Sequence, residues 1–190
     1  LTTTQFFSIT LAIVGLYSIC FSEPVINYWV GLDKYGGTWL LIIIVFAKIL
    51  FQFRSYCNNI LYTGGLINKS AKLDILCAIV YLAVLLAVIK PIQVYAIPFA
   101  TLVVSILFIS WYLKLMQKHL GLNVRILVVE FAKSMIVILP FVAVHYILNL
   151  DYHNLYVYGA YFIVFSALFV SVLLVTNKSF FMLLQSKFKK

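Results

Sequence analysis

Six apolar runs, at residues 5–22, 38–62, 73–89, 92–113, 126–148 and 155–175, leave this chain few folds to choose from. A helix crosses the hydrocarbon core of a bilayer with about 20 mostly apolar residues, within a range of roughly 17–25. In lipid every backbone N–H and C=O must be satisfied inside the protein, which permits helices or closed barrels. The runs lack the period-two alternation of barrel strands and are about twice as long. Composition agrees, with 65% of residues apolar and 10% charged, where a soluble domain carries about 25% charged residues. The expected fold is an all-α integral membrane protein. Residues 1–178 form a bundle of six transmembrane helices, and 179–190 form a basic amphipathic tail on anionic lipid.

Punctuation residues mark the breaks. Glu23-Pro24 is expected to end the first run, leaving 25–31 as a short interfacial piece with Tyr28 and Trp29 at headgroup depth. Gly36-Gly37 precedes the second run and Gly64-Gly65 closes it. Lys90-Pro91 turns the third run into the fourth, and Gly121 separates the fourth from the fifth.

Charge then sets direction. Lys69 and Lys72, then Lys114, Lys118 and Arg125, then Lys178, Lys187, Lys189 and Lys190 all fall on one side. The opposite loops hold Lys34 and Lys90 beside Glu23, Asp33 and Asp151. The positive-inside rule places the basic side, and with it both termini, in the cytoplasm. The same rule accounts for the net charge of +9 without nucleic acid, for which no basic stripe with interleaved aromatics is present. Two Asn-Lys-Ser sequons, at 68–70 and 177–179, fall on this cytoplasmic side and read as chance. Cys20, Cys57 and Cys77 lie in apolar runs without metal or redox spacing and read as small buried hydrophobes. The chain opens on Leu1 rather than Met, and we expect this to be a truncation point.

Polar residues inside the runs are the informative ones. Stepping about 100° per residue along the second run puts Lys48, Gln52, Ser55, Asn59 and Tyr62 on one stripe about 80° wide. Lys48 lies about 14 Å below Trp39 on a helix rising about 1.5 Å per residue, near the middle of a core about 30 Å thick. Arg54 sits nearer the cytoplasmic end, within reach of headgroups. In the fifth run Glu130, Lys133 and Ser134 stand one turn apart, in the favourable order for an intrahelical ion pair. Pro140 follows, and His145 shares the face of Glu130 and Ser134. Glu130, Lys133 and His145 are therefore candidates for ion coupling or for helix pairing.

An ammonium at mid-bilayer costs about 2.5–3.5 kcal/mol even on a lenient insertion scale, so Lys48 requires a partner or water. In one reading Lys48 pairs with Glu130 and locks two helices. In the other, the stripe faces a wet cavity and holds an anionic substrate through Lys48, Gln52, Arg54, Ser55 and Asn59. With Asp74 set at a cytoplasmic helix end, Lys48, Arg54 and Lys133 face one anion within the hydrophobic core, Glu130, and that surplus suits a phosphate or diphosphate.

Enzyme chemistry finds little support. A lipid-linked transferase needs paired carboxylates to hold Mg²⁺. The five acidic residues (Glu23, Asp33, Asp74, Glu130 and Asp151) include no two within six positions. No catalytic group, cofactor or metal is expected.

The stretch FSEPVINYWVGLDKYGGTWLLIIIVF, residues 21–46, resembles the seventh-to-eighth helix junction of oligosaccharide flippases in the multidrug/oligosaccharidyl-lipid/polysaccharide exporter superfamily. An apolar helix, an acidic-Pro break, an aliphatic-Trp-Val-Gly signature and a new helix follow one another there. NNILYTGGLINKSAKLDILCAIVYLAVLLAVIK, residues 58–90, is similar to the stretch that comes next, and the likeness spans most of 6–175. It implies that the chain is the C-terminal six-helix half of two pseudo-symmetric halves. The missing partner is then an N-terminal six-helix half. The implied place is the bacterial inner (plasma) membrane, with the lipid bilayer as solvent. The implied function is the flipping of a polyprenyl-diphosphate-linked oligosaccharide for O-antigen or capsule biosynthesis. Two alternatives stand beside it: a multidrug exporter of the same superfamily, which would want an acidic cavity, and a non-transporting membrane scaffold or subunit.

Overall fold

The computed structural model describes residues 2–29, 31, 36–148 and 155–176, and among these residues there is no strand. The chain forms α1 (Thr2–Trp29), α2 (Thr38–Thr63), α3 (Ile67–Ile92), a 3₁₀ turn (Gln93–Tyr95), α4 (Ala96–Leu120), α5 (Val124–Leu148) and α6 (Leu155–Thr176). Four segments are long and apolar enough to cross a membrane: Thr3–Ile26, Thr38–Thr63, Ile67–Leu120 and Val124–Leu148. A shorter apolar helix lies at Gly159–Val172.

The third of these segments, 54 residues long, is two helices and not one. Pro91 withholds the N–H that would bond back into the ladder, and Gln93 then takes a positive φ of 45° with ψ −110°. Beyond that kink the chain folds back, so that α3 and α4 pack on each other. Their paired residues, Lys69 with His119 and Asp74 with Tyr112, show that they run antiparallel.

Two compact units result, one over 1–35 and 125–190 and the other over 36–124. In the second unit, α2 pairs with α3 through Asn58–Asp74 and Arg54–Cys77, again antiparallel, so α2 and α4 run in the same direction. The buried ridge of α2 is Val45, Ile49, Phe53, Cys57 and Leu61, and that of α4 is Ala96, Ala100, Val104, Phe108, Tyr112 and Met116. Each ridge repeats every fourth residue, the row that interdigitates when two helices pack ridge into groove. Alanines and Cys57 along these rows let the backbones come close.

In the first unit, α1 packs with α5 and α6 around Ala12, Leu16, Cys20, Phe21, Ile138, Phe165 and Phe169. Edge-to-face rings finish this core, with Phe141 on Phe169 at 4.9 Å and Phe21 on Phe162 at 4.8 Å. All three cysteines are buried and free, as their apolar surroundings suggest.

The α2–α3 connection is set by glycine. Leu66 N–H donates to Leu61 O at 2.9 Å and Gly65 N–H to Tyr62 O at 3.1 Å, the paired bonds of a Schellman stop. Gly65 takes φ +79° there, while Gly121 ends α4 at φ +62°. An added Cβ would meet nothing within 4 Å at either glycine, so the penalty is conformational alone. Gly65→Ala is expected to cost about 1–2 kcal/mol, read as an earlier thermal unfolding transition in detergent. The Ser105 hydroxyl is fully buried and has no hydrogen-bond partner among the described residues. Ser105→Ala is accordingly expected to leave stability unchanged or raised by about 1 kcal/mol in the same measurement.

Four expected boundaries move. Glu23-Pro24 does not end the first helix, because α1 continues through Pro24 to Trp29, leaving no separate piece at 25–29. A proline removes one donor and crowds one carbonyl, a local loss that the rest of a long helix tolerates. The third helix begins at Ile67 rather than 73, which puts Lys69 and Lys72 on its first turns. The fourth extends to Leu120 and carries Lys114 and Lys118 with it. The reversal expected at Lys90-Pro91 falls two residues later, at Gln93. Asp33, Lys34, Asp151, the sequon at 177–179 and the basic tail lie outside the described residues.

Candidate functional site

Between α2, α3 and α4 lies a cavity of about 390 Å³. Lys48, Phe51 and Arg54 line it from α2, Asp74, Cys77 and Tyr81 from α3, and Ile97, Thr101 and Val104 from α4. Both cations lean on one ring: the Lys48 ammonium stands 5.6 Å from the centre of Phe51, and the Arg54 guanidinium 4.9 Å. Such contacts hold a cation in place without neutralising it. Arg54 also donates to the Cys77 sulfur. It therefore turns across to α3 and not along α2 toward headgroups.

Asp74 is the carboxylate in the cavity lining, and neutral donors already engage it. Tyr112 donates to Oδ1 at 2.5 Å, while Asn58 and Tyr62 donate to Oδ2 at 2.9 and 3.4 Å. Ser70, fully buried, donates in turn to Asn58 Oδ1. Among the described residues of this unit, no carboxylate lies within ion-pair distance of Lys48 or Arg54. The cavity thus carries two positive charges, one hydrogen-bonded negative charge, and hydroxyls from Tyr81 and Thr101. An anion with oxygens to spare fits that balance.

Of the five sequence candidates on α2, Lys48 and Arg54 line the cavity. Gln52 and Asn59 stand exposed along the helix and Ser55 is half-buried, and none of the three lines it. Among the described residues, the side chains of Lys48, Gln52 and Asn59 take no hydrogen bond.

The α5 candidates go elsewhere. Glu130 accepts from Lys133 at 3.0 Å on one carboxylate oxygen and from Gln5 at 3.1 Å on the other, so this group ties α1 to α5. The Glu130–Lys133 pair is the one that the i, i+3 spacing suggests. His145 is 4% exposed, with Nδ1 3.1 Å from the Tyr161 hydroxyl and the Phe21 ring 5.7 Å away.

Sequence reasoning put Tyr62 on the polar stripe but passed over Asp74 and its donors Asn58 and Tyr112. The available signal was Asn58 and Tyr62, one turn apart on α2, with an acidic residue in the next helix.

No family model, no curated protein and no solved structure matches this chain.

Proposed function

We propose that this chain is a multi-pass protein of the bacterial inner membrane, with α1 to α6 as its six spans and both termini cytoplasmic. In this reading it is one half of a flippase that moves a polyprenyl-diphosphate-linked oligosaccharide toward the outer leaflet for surface polysaccharide. One observation carries the proposal: Lys48 and Arg54 share a cavity at mid-helix depth whose carboxylate is already engaged by Tyr112, Asn58 and Tyr62. Charge at that depth needs a counter-charge or water, and a diphosphate entering between the spans supplies the first. Lys48 and Arg54 neutralise the diphosphate in the cavity, while Gln52, Ser55 and Asn59, outside its lining, are left to bond sugar oxygens along the same helix. A second half, rocking against this one, opens the site to each leaflet in turn.

A multidrug exporter needs a carboxylate free to meet a cationic drug. Asp74 is a poor candidate for that role, since three donors hold it.

The test is Lys48→Ala in the intact parent transporter, assayed for surface polysaccharide and for lipid-linked repeat units in the membrane. The expected outcome is a fall of at least tenfold in surface polysaccharide, with repeat units accumulating and protein abundance unchanged. Normal export at normal abundance would remove Lys48 from the mechanism.

A further inference from the structure

A second groove lies on α3 and α4, apart from the cavity just described. The first turns of α3 lie beside the last turns of α4, and between them is a space of about 640 Å³. Its floor is apolar, including Leu73, Leu76, Leu115 and Trp111, while Lys69, Lys72, Lys114 and Lys118 stand at its rim. Among the described residues no acidic side chain lines it, and none occurs in the first turn of α3. The free N–H groups that open α3 add partial positive charge to the lysines. Lys69 is steered by His119, whose Nε2 lies 2.9 Å from its ammonium. An ammonium only donates, so the imidazole accepts and leaves the charge on Lys69. Trp111, 49% exposed, is amphipathic enough to sit where acyl chains meet headgroups.

We propose that this groove binds an anionic phospholipid from the surrounding leaflet. One acyl chain lies along the leucines and Trp111, and the headgroup phosphate sits among the four lysines. Charge complementarity selects the occupant: four ammonium groups in one rim repel one another until an anion enters. The apolar floor asks that this anion carry a hydrocarbon chain. A basic pocket between helices at the membrane surface is a recognised setting for such headgroups. The site is independent of the transport reading, since none of its lysines faces the Lys48–Arg54 cavity.

The experiment titrates the purified full chain in detergent with brominated phosphatidylglycerol and, separately, with brominated phosphatidylcholine, reading quenching of tryptophan fluorescence. Trp111→Phe assigns the signal. Saturable quenching by the anionic lipid is expected, at least tenfold tighter than by the zwitterionic one and weakened by salt. Lys69, Lys72, Lys114 and Lys118 replaced together by Gln should abolish that preference, with the thermal transition as a check on folding. If this variant fails to fold, the Lys72→Gln/Lys114→Gln pair gives the same reading with a smaller loss. Equal quenching by both lipids, or an unchanged preference in the variants, would overturn the proposal. Displacement of the lipid by millimolar inorganic phosphate would overturn it too, by showing a site for the free anion.

Discussion

Asp74→Ala is expected to destabilise the α2–α3–α4 unit by about 3 kcal/mol, the largest loss from any single side chain there. Hydrogen bonds to a charged group contribute about 1.5–3 kcal/mol each in water-exposed proteins, and about 0.6 kcal/mol on average, up to about 1.7, between membrane helices. Three such bonds converge on Asp74, from two helices. Alanine also strands the Tyr112 hydroxyl, whose residue is fully buried, at a further cost of about 1–3 kcal/mol. Asp74→Asn keeps an acceptor for Tyr112 but gives up the charge, for a smaller loss of about 1 kcal/mol. Tyr112→Phe removes donor and bond together and falls in the same range. Thermal unfolding in detergent should therefore rank Asp74→Ala well below the other two. Equal transitions for Asp74→Ala and Asp74→Asn would show that the convergent bonds contribute little.

The second large effect concerns charge in the α2 cavity. Lys48→Glu and Arg54→Glu are each expected to weaken binding of a polyprenyl diphosphate by roughly 10- to 150-fold, the equivalent of about 1.5–3 kcal/mol for one charge-assisted contact. Lys48→Gln should lose most of that affinity. Lys48→Arg should keep it within a few fold, because a guanidinium still donates to phosphate oxygens. Binding of the diphosphate, the monophosphate and the neutral alcohol of one polyprenol separates charge from chain. Affinity should fall with each phosphate removed in the parent chain and become flat in the Lys48→Gln/Arg54→Gln variant. A parent chain that binds all three equally would show that the cations do not select the ligand.

How much of this was legible beforehand follows from which signals are local. The helices were, because long apolar runs without period-two alternation offer no strand pattern to compete with helix. Gly65 and Gly121 were, because a positive φ is a property of one residue. The Glu130–Lys133 pair was, because it needs only helical spacing. Pro91 marked the α3–α4 reversal to within two residues, whereas Pro24 misled: a proline weakens one bond of a ladder, and whether the helix stops depends on the residues beyond it. Asp74 was passed over because its three donors come from two other helices, and their meeting depends on the register of α2 and α4 against α3. Arg54 reads from sequence as free to reach headgroups. It turns across because its guanidinium rests on Phe51 of α2 and donates to Cys77 of α3, both in the cavity lining. Side-chain destinations set by tertiary register are what one chain's pattern leaves open.

The account stands on the claim that the Lys48 side of α2 meets water. Cysteine accessibility tests it most directly, in a background with Cys20, Cys57 and Cys77 replaced by Ala, scanning single cysteines from 44 to 59 with a charged, water-soluble thiol reagent in intact membranes. Reaction is expected at 48, 52, 55 and 59, protected by added polyprenyl diphosphate. Silence is expected at Ile44 and Phe46, which are exposed but apolar. Unreactive cysteines at all four polar positions would contradict the account.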